Sequence, residues 1–397
     1  MNRKHYIPSL LSLAGFVQSV VAALQRLGLL ESAHPYFPVT GLFGNPGQMG
    51  GFQAIAFVSL LLLWKANAHR RWTSALWSAA VAAISYPLIV SASRAAWLGA
   101  LCGVVVVFGD ALFRWLKAHR WAQPVLPVLA LAFLTGLYLL RPQSADGRLL
   151  IWRVSADMIA DRPWTGFGPG GFARNYMHYQ AAFFRAHPDS RFAAVAGDVD
   201  YPFNDLLRLG VEYGLLGFVL GLALVVAVVC LCRQKERLAP FVAYFVFACF
   251  SYPSYKAGLL LCLPLTVLYA LNLREPNRVG RLLCVVLSIL VFAVQLPEAW
   301  HPIGHATCSE WCRLGQEALD KGNLQAAEDY LTEASYMVPT RTRPQYLLWK
   351  LALLRSDESR AEAIAARLIS GEPKVWDTFT IRARSEVSEW LRDGGGD

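Results

Sequence analysis

Nine apolar runs of near-bilayer length recur between Ile7 and Gln295, and they restrict the possible folds more than anything else in the sequence. About 20 apolar residues carry a helix across the hydrocarbon, and somewhat fewer suffice where flanking side chains snorkel. The runs are Ile7–Leu24, Leu42–Trp64, Trp72–Ser91, Ala95–Gly109, Pro124–Leu140, Leu206–Cys232, Leu238–Tyr252, Ala257–Leu273 and Leu282–Gln295. Backbone groups in hydrocarbon have no partner but one another, so such runs fold as helices. The expected fold is all-α: a polytopic membrane helix bundle of about nine spans, with a large loop at 141–205 and a helical-repeat domain at its C-terminal end. The domain expectation is a membrane body over 1–298 and a separate tail over 299–397. The first run has a basic start but no small-x-small cleavage site after it, so it reads as a span rather than a cleaved signal.

Charge agrees with this division. Only 16% of residues are charged and 55% are hydrophobic, whereas soluble domains carry about 25% charged residues. This excludes a disordered chain and a nucleic-acid binder with a basic surface, and argues against an ordinary cytosolic enzyme. From Glu310 onward there are 12 Lys/Arg against 15 Asp/Glu, so the body holds the basic excess behind the net charge of +9. Alternate short connections carry Arg3/Lys4, Lys65/Arg70/Arg71, Arg114/Lys117/Arg120, Arg233/Lys235/Arg237 and Arg274/Arg278/Arg281. The opposite connections hold little beyond Arg26 and Lys256. By the positive-inside rule the N-terminus is expected in the cytoplasm, with the long loop and the tail on the other side.

The loop is too long for a passive connection. It contains Arg141, Arg148, Arg153, Arg162, Arg174, Arg185 and Arg191, and no lysine. Guanidinium forks grip phosphate in bidentate fashion, whereas ammonium acts as a point charge. Trp152, Trp164, Phe167, Phe172, Tyr176, Tyr179, Phe183 and Phe184 are interleaved with them, and aromatic faces suit sugar rings or lipid headgroups. Together they fit a lipid-linked pyrophosphate sugar donor. The competing reading pairs these arginines with six loop aspartates, Asp146, Asp157, Asp161, Asp189, Asp198 and Asp200. The glycines of Gly166–Gly171 lack the Lys-Ser/Thr of a phosphate-binding loop and read as a tight turn.

Two further segments carry charge near the same face. Arg94 stands where the third run turns into the fourth, and a charge there is costly unless it meets a partner or an aqueous cavity. Asn204, Arg208 and Glu212 are spaced by four and so fall on one helical face. In the tail, Trp311, Leu314, Gly315, Gly322, Ala327, Ala334 and Pro339 have the spacing of a tetratricopeptide unit, and Ala361 and Pro373 repeat Ala327 and Pro339 at an offset of 34. Such a tail offers a groove for a protein or glycan partner, or simply packs on the membrane body. Cys308 and Cys312 are one helical turn apart, within disulfide range. A metal there would need His301 and His305 as further ligands.

Four motifs resemble the O-antigen ligase family, which includes O-antigen polymerases and protein O-oligosaccharyltransferases. They are Gly41-Leu-Phe-Gly-Asn45-Pro46, Ser93-Arg94-Ala-Ala-Trp97-Leu, Gly147-Arg148-x-x-Ile-Trp152 with Pro163-x-x-Gly-x-Gly168, and Asn204-x-x-Leu-x-x-x-x-Glu212-x-Gly214. The resemblance implies a multi-pass, inner-membrane glycosyltransferase, independent of metals and of cofactors. It would take glycan from an undecaprenyl-pyrophosphate carrier at the periplasmic face and deliver it to lipid A core, a glycan or a protein, among membrane lipids. Repeat-unit polymerisation and protein glycosylation stand as alternatives, and a polysaccharide transporter is a weaker one. The substrate-binding residues expected are Arg94, Arg148, Arg153, Trp152 and Arg208. The catalytic candidates are His178, His187, Asn204 and Glu212. The family's usual histidine precedes the asparagine matching Asn204, and here that position is Phe203. Either His178, His187, Asp205 or Glu212 takes the base's place, or the acceptor differs from the family's common one.

Overall fold

The computed structural model describes residues 5–34, 36–67, 71–300 and 307–393. It is α-helical, with no β-strand among the described residues. The helices are α1 (Tyr6–Arg26), α2 (Pro46–Asn67), α3 (Arg71–Val90), α4 (Arg94–Ala118), α5 (Ala122–Leu139), α6 (Pro142–Asp161), α7 (Gly171–Ala186), α8 (Asp205–Leu231), α9 (Ala239–Ala248), α10 (Ala257–Leu260), α11 (Cys262–Leu271), α12 (Arg278–Trp300), α13 (Cys308–Asp320), α14 (Leu324–Met337), α15 (Thr342–Leu354), α16 (Glu358–Ser370) and α17 (Thr378–Arg392). Each of the nine apolar runs contains helix. Among the described residues five helices, α1, α2, α4, α5 and α8, are long and apolar enough to cross a membrane by length and composition. Arg3, Lys4 and Arg70 of the charge argument, and His301 and His305, lie outside the described residues.

The chain divides into two compact units: Met1–Leu140, Phe203–Leu209 and Leu216–Pro302, then Arg141–Pro202, Gly210–Leu215 and Ile303–Asp397. The long loop therefore belongs to the same unit as the tail.

In the first unit α2 is the central helix, apolar on all sides and mostly buried. Small residues let its neighbours approach closely, as is usual between helices in lipid. A Cβ at Gly103 would sit 2.5 Å from Val58 of α2, and one at Gly99 would sit 2.7 Å from the Ala243 carbonyl of α9. The first of the four motifs is clamped by α1. Gln25 Oε1 accepts from the backbone N–H groups of Thr40 (3.0 Å) and Gly41 (2.7 Å), and Gln18 Oε1 accepts from Leu42 (3.0 Å). Asn45 then accepts from Gly47 at 2.7 Å, and Pro46 opens α2 at the position where a missing N–H costs nothing.

In the second unit α7 buries Phe172, Tyr176, Gln180 and Phe184, one stripe at helical spacing. The tail is built as helix pairs. Close packing of α13 on α14 depends on Gly315, where a Cβ would sit 2.6 Å from Leu331. The offset of 34 is repeated in the backbone: Gly322 (φ 71°) and Ser356 (φ 55°) turn the chain with positive φ, and Asn323 and Asp357 then cap α14 and α16. Ala327 and Ala361 are both fully buried. Cys308 and Cys312 are unbridged thiols, and Cys308 Sγ donates to the Ala334 carbonyl at 3.4 Å.

Candidate functional site

In the first unit, charge converges on the start of α8. Asn204 is extended (φ −162°) and caps the helix, its Oδ1 accepting from Leu206 N (3.0 Å) and Leu207 N (3.1 Å). Spacing alone put Asn204 on a helical face with Arg208 and Glu212; its side chain instead folds back onto the orphan amides of the first turn. Asp205, the first helical residue, accepts from Ser254 Oγ at 2.7 Å and from Ser254 N at 3.3 Å. Arg208, fully buried, donates to the same Ser254 Oγ at 2.7 Å and lies 4.0 Å over the Tyr255 ring. A hydroxyl thus bridges a half-buried carboxylate and a fully buried guanidinium, which offsets the cost of holding the guanidinium away from water.

Phe203, in the place of the family's histidine, has φ 53°, a left-handed conformation that costs a non-glycine residue about 1–2 kcal/mol. Its ring meets Tyr252 edge-on at 5.1 Å. Ser254 and Tyr255 lie in the short gap between the seventh and eighth apolar runs and belong to none of the four motifs. The signal present was two serines and a lysine around a proline in an otherwise apolar stretch.

Elsewhere in this unit, Ser93 caps α4 by accepting from Ala96 N at 3.3 Å, and Arg94 opens the helix. Arg94 Nη1 donates to the Leu137 carbonyl of α5 at 2.6 Å, so one face of the guanidinium is tied to that helix end. Trp97 Nε1 donates to the Leu88 carbonyl at 2.9 Å and fixes the α3–α4 turn.

In the second unit, α6 places Arg148 and Trp152 one turn apart on one side. Arg148 is half-buried, and Trp152 Nε1 donates to the Pro202 carbonyl at 3.1 Å. Arg153 points to solvent and pairs with Asp157 at 3.6 Å. The glycine stretch is a packing turn. Phe167 N and Gly168 N donate to the carbonyls of Val211 and Glu212, both at 2.9 Å, and Leu215 N donates back to Pro163 O at 2.6 Å. Gly166 (φ 62°) and Gly214 (φ 68°) permit this approach: a Cβ at either would sit 2.5 Å from backbone across the contact. Gly214 also interrupts α8 with non-helical geometry. The Glu212 carboxylate is fully buried.

The two histidines are placed elsewhere. His178 Nδ1 is 3.1 Å from Glu333 Oε1, with its ring edge-on to Trp311 at 5.0 Å. His187 Nδ1 lies 3.0 Å from the Phe183 carbonyl, its ring stacked on Phe183 at the surface. Other loop arginines also serve architecture: Arg185 pairs with Glu333 at 2.5 Å, and Arg162 lies 4.6 Å over Phe167. Tyr179 donates to Asp161; its partial burial and this carboxylate push the hydroxyl pKa up to about 12.

Apolar helices of spanning length and buried charge beside a helix cap define a helical membrane protein with a polar site. Residues 79–222, the stretch holding Arg94, Arg148, Asn204 and Arg208, match the family described as O-Antigen ligase. The family supports a membrane glycosyltransferase of ligase or polymerase type. Comparisons with curated proteins and with solved structures gave no match.

Proposed function

We propose that this protein is an O-antigen ligase-like transferase. It moves a glycan from an undecaprenyl-pyrophosphate carrier to an acceptor hydroxyl at the periplasmic face of the bacterial inner membrane. The observation that carries this reading, beyond the family match, is the Asp205–Ser254–Arg208 cluster directly after the position of the missing histidine. In the reaction the acceptor oxygen bonds to the anomeric carbon, and the bond from that carbon to the pyrophosphate oxygen breaks. The leaving group departs with the electron pair. Asp205 takes the acceptor proton, a task for which a half-buried carboxylate held in place by a hydroxyl is suited. Arg208 stabilises the ionised carboxylate through Ser254. Arg94 and Arg148 supply positive charge to the pyrophosphate as its negative charge develops. The basic connections support a cytoplasmic N-terminus, about nine spans, and a loop and tetratricopeptide-like tail on the periplasmic side.

The test is the glycolipid profile of a strain lacking the protein. Carrier-linked chains left unligated support the reading, single repeat units would indicate a polymerase, and missing glycoproteins a protein transferase. Asp205→Asn should fail to restore the profile at normal expression. Full restoration by Asp205→Asn would remove that residue as the base.

A further inference from the structure

A concave surface on the tail, apart from the charged cluster of α8, has the makings of a second binding site. It lies among α13, α15 and α17 and encloses about 590 Å³, within the range of small-ligand sites. Leu347 and Ala383 form a buried apolar floor. Tyr346 and Phe379 wall it with their rings at right angles, 5.6 Å apart.

Its charge is unbalanced in a specific way. Both lining acids are already engaged: Glu386 accepts from Tyr346 Oη at 2.6 Å with Lys350 at 3.9 Å, and Asp320 accepts from Gln316 Nε2 at 3.1 Å. Arg343 and Arg382 line the same surface, both exposed, and neither has an acidic side chain within ion-pair distance among the described residues. Arg343 instead lies 6.0 Å over the Phe379 ring. Two arginines that neither lining acid pairs, set around aromatic faces, suit an anion attached to a ring. Guanidinium forks match phosphate oxygens. The C–H face of a pyranose packs on an aromatic face, where the ring's negative quadrupole meets weakly positive hydrogens.

We infer that the groove between α13, α15 and α17 binds a short phosphorylated saccharide, with Arg343 and Arg382 on the phosphate and Phe379 and Tyr346 against the sugar. The inference rests on the transferase reading only in that such a saccharide would be part of the acceptor. Binding is measured without transfer, so the two ideas fail separately.

The full-length protein in detergent is titrated calorimetrically with maltotriose carrying a 6-phosphate, with neutral maltotriose, with inorganic phosphate and with an acidic heptapeptide. The phosphorylated trisaccharide should bind at least about 10-fold more tightly than either neutral sugar or phosphate alone, since it makes both kinds of contact. Arg343→Ala with Arg382→Ala should remove most of that preference, and Phe379→Ala should weaken the sugar component. Both sets of residues are exposed, and an unchanged melting temperature in each variant confirms an intact tail. No binding, equal binding of inorganic phosphate, or tighter binding of the peptide would each overturn the proposal. So would full affinity in the double arginine variant.

Discussion

Asp198 and Arg341, 143 residues apart in the chain, meet at 2.8 Å and tie the long loop to the tail. Asp198 also accepts from the Cys308 backbone N–H at 2.7 Å, so one carboxylate fixes the start of α13 and the turn before α15. Lys374 donates to Ala196 and Gln180 donates to Met337 in the same unit. The loop that follows α5 is therefore a folded part of the tail's unit.

The first prediction follows from that pair. Asp198 and Arg341 are less than one-third exposed, so their interaction is screened less than a surface ion pair. Asp198→Ala should destabilise the protein by roughly 1.5–3 kcal/mol, because Arg341 and an amide both lose an acceptor. Arg341→Ala should cost less, and the double variant should fall short of the sum by about 1 kcal/mol. Thermal unfolding of the four proteins in detergent measures the coupling. Strict additivity would show that the pair contributes nothing.

A second concerns acid. Glu328 accepts from Arg360 at 2.5 Å and from Arg355, and these hydrogen bonds, Arg360's first, hold its carboxyl below the ordinary value of 4.5. A depressed carboxylate contributes stability that is complete above its unfolded pKa and is lost as pH falls through the folded one. The melting temperature should therefore drop below about pH 4.5. Glu328→Gln should start lower at neutral pH and lose less on acidification. Parallel pH profiles for the two proteins would contradict this.

The sequence revealed the local relationships and missed the distant ones. Apolar runs marked the helices because burial in lipid is written into each segment alone. Arg148 and Trp152 were legible as neighbours once that stretch was helical, since four residues make one turn. The glycine stretch was legible as a turn because it lacked phosphate-binding partners. The hydroxyl bridge from Asp205 to Ser254 joins residues 49 apart, and no periodicity announces it. His178 was a reasonable candidate base by residue type, yet it lies against Glu333, 155 residues away. Asn204 shows local chemistry overriding spacing: a side-chain amide before a helix satisfies backbone donors in preference to joining a helical face.

The third prediction tests the glycine contact. Adding a methyl group at Gly166 would bring it 2.5 Å from the Glu212 backbone, which cannot yield as a flexible side chain would. The positive φ adds about 1 kcal/mol of its own for alanine. Gly166→Ala should cost roughly 2–4 kcal/mol in all and loosen the segment around Glu212. Gly168→Ala has the same backbone penalty but open space around the added carbon, so it should cost only about 1 kcal/mol. Equal melting temperatures for the two variants would show that the close approach is unimportant.

The last prediction concerns the donor. Arg148 lies half-buried on α6, one turn before Trp152, whose indole is held by the Pro202 carbonyl. That anchor fixes the indole one turn along α6 from Arg148. A charge-assisted hydrogen bond to phosphate is worth roughly 1.5–3 kcal/mol. Losing it in the transition state should slow transfer by about 10-fold to more than 100-fold. Arg148→Lys keeps the charge but not the planar fork, so it should recover only part of the rate. Arg153 provides the control. It is exposed and paired with Asp157, so Arg153→Ala should stay within about 3-fold of the wild-type rate. The measurement is transfer from a purified lipid-linked donor, with folding checked by melting temperature. A wild-type rate in Arg148→Ala would return this arginine to an architectural role. A loss in Arg153→Ala equal to that in Arg148→Ala would instead mean that the arginines of α6 act through their summed charge.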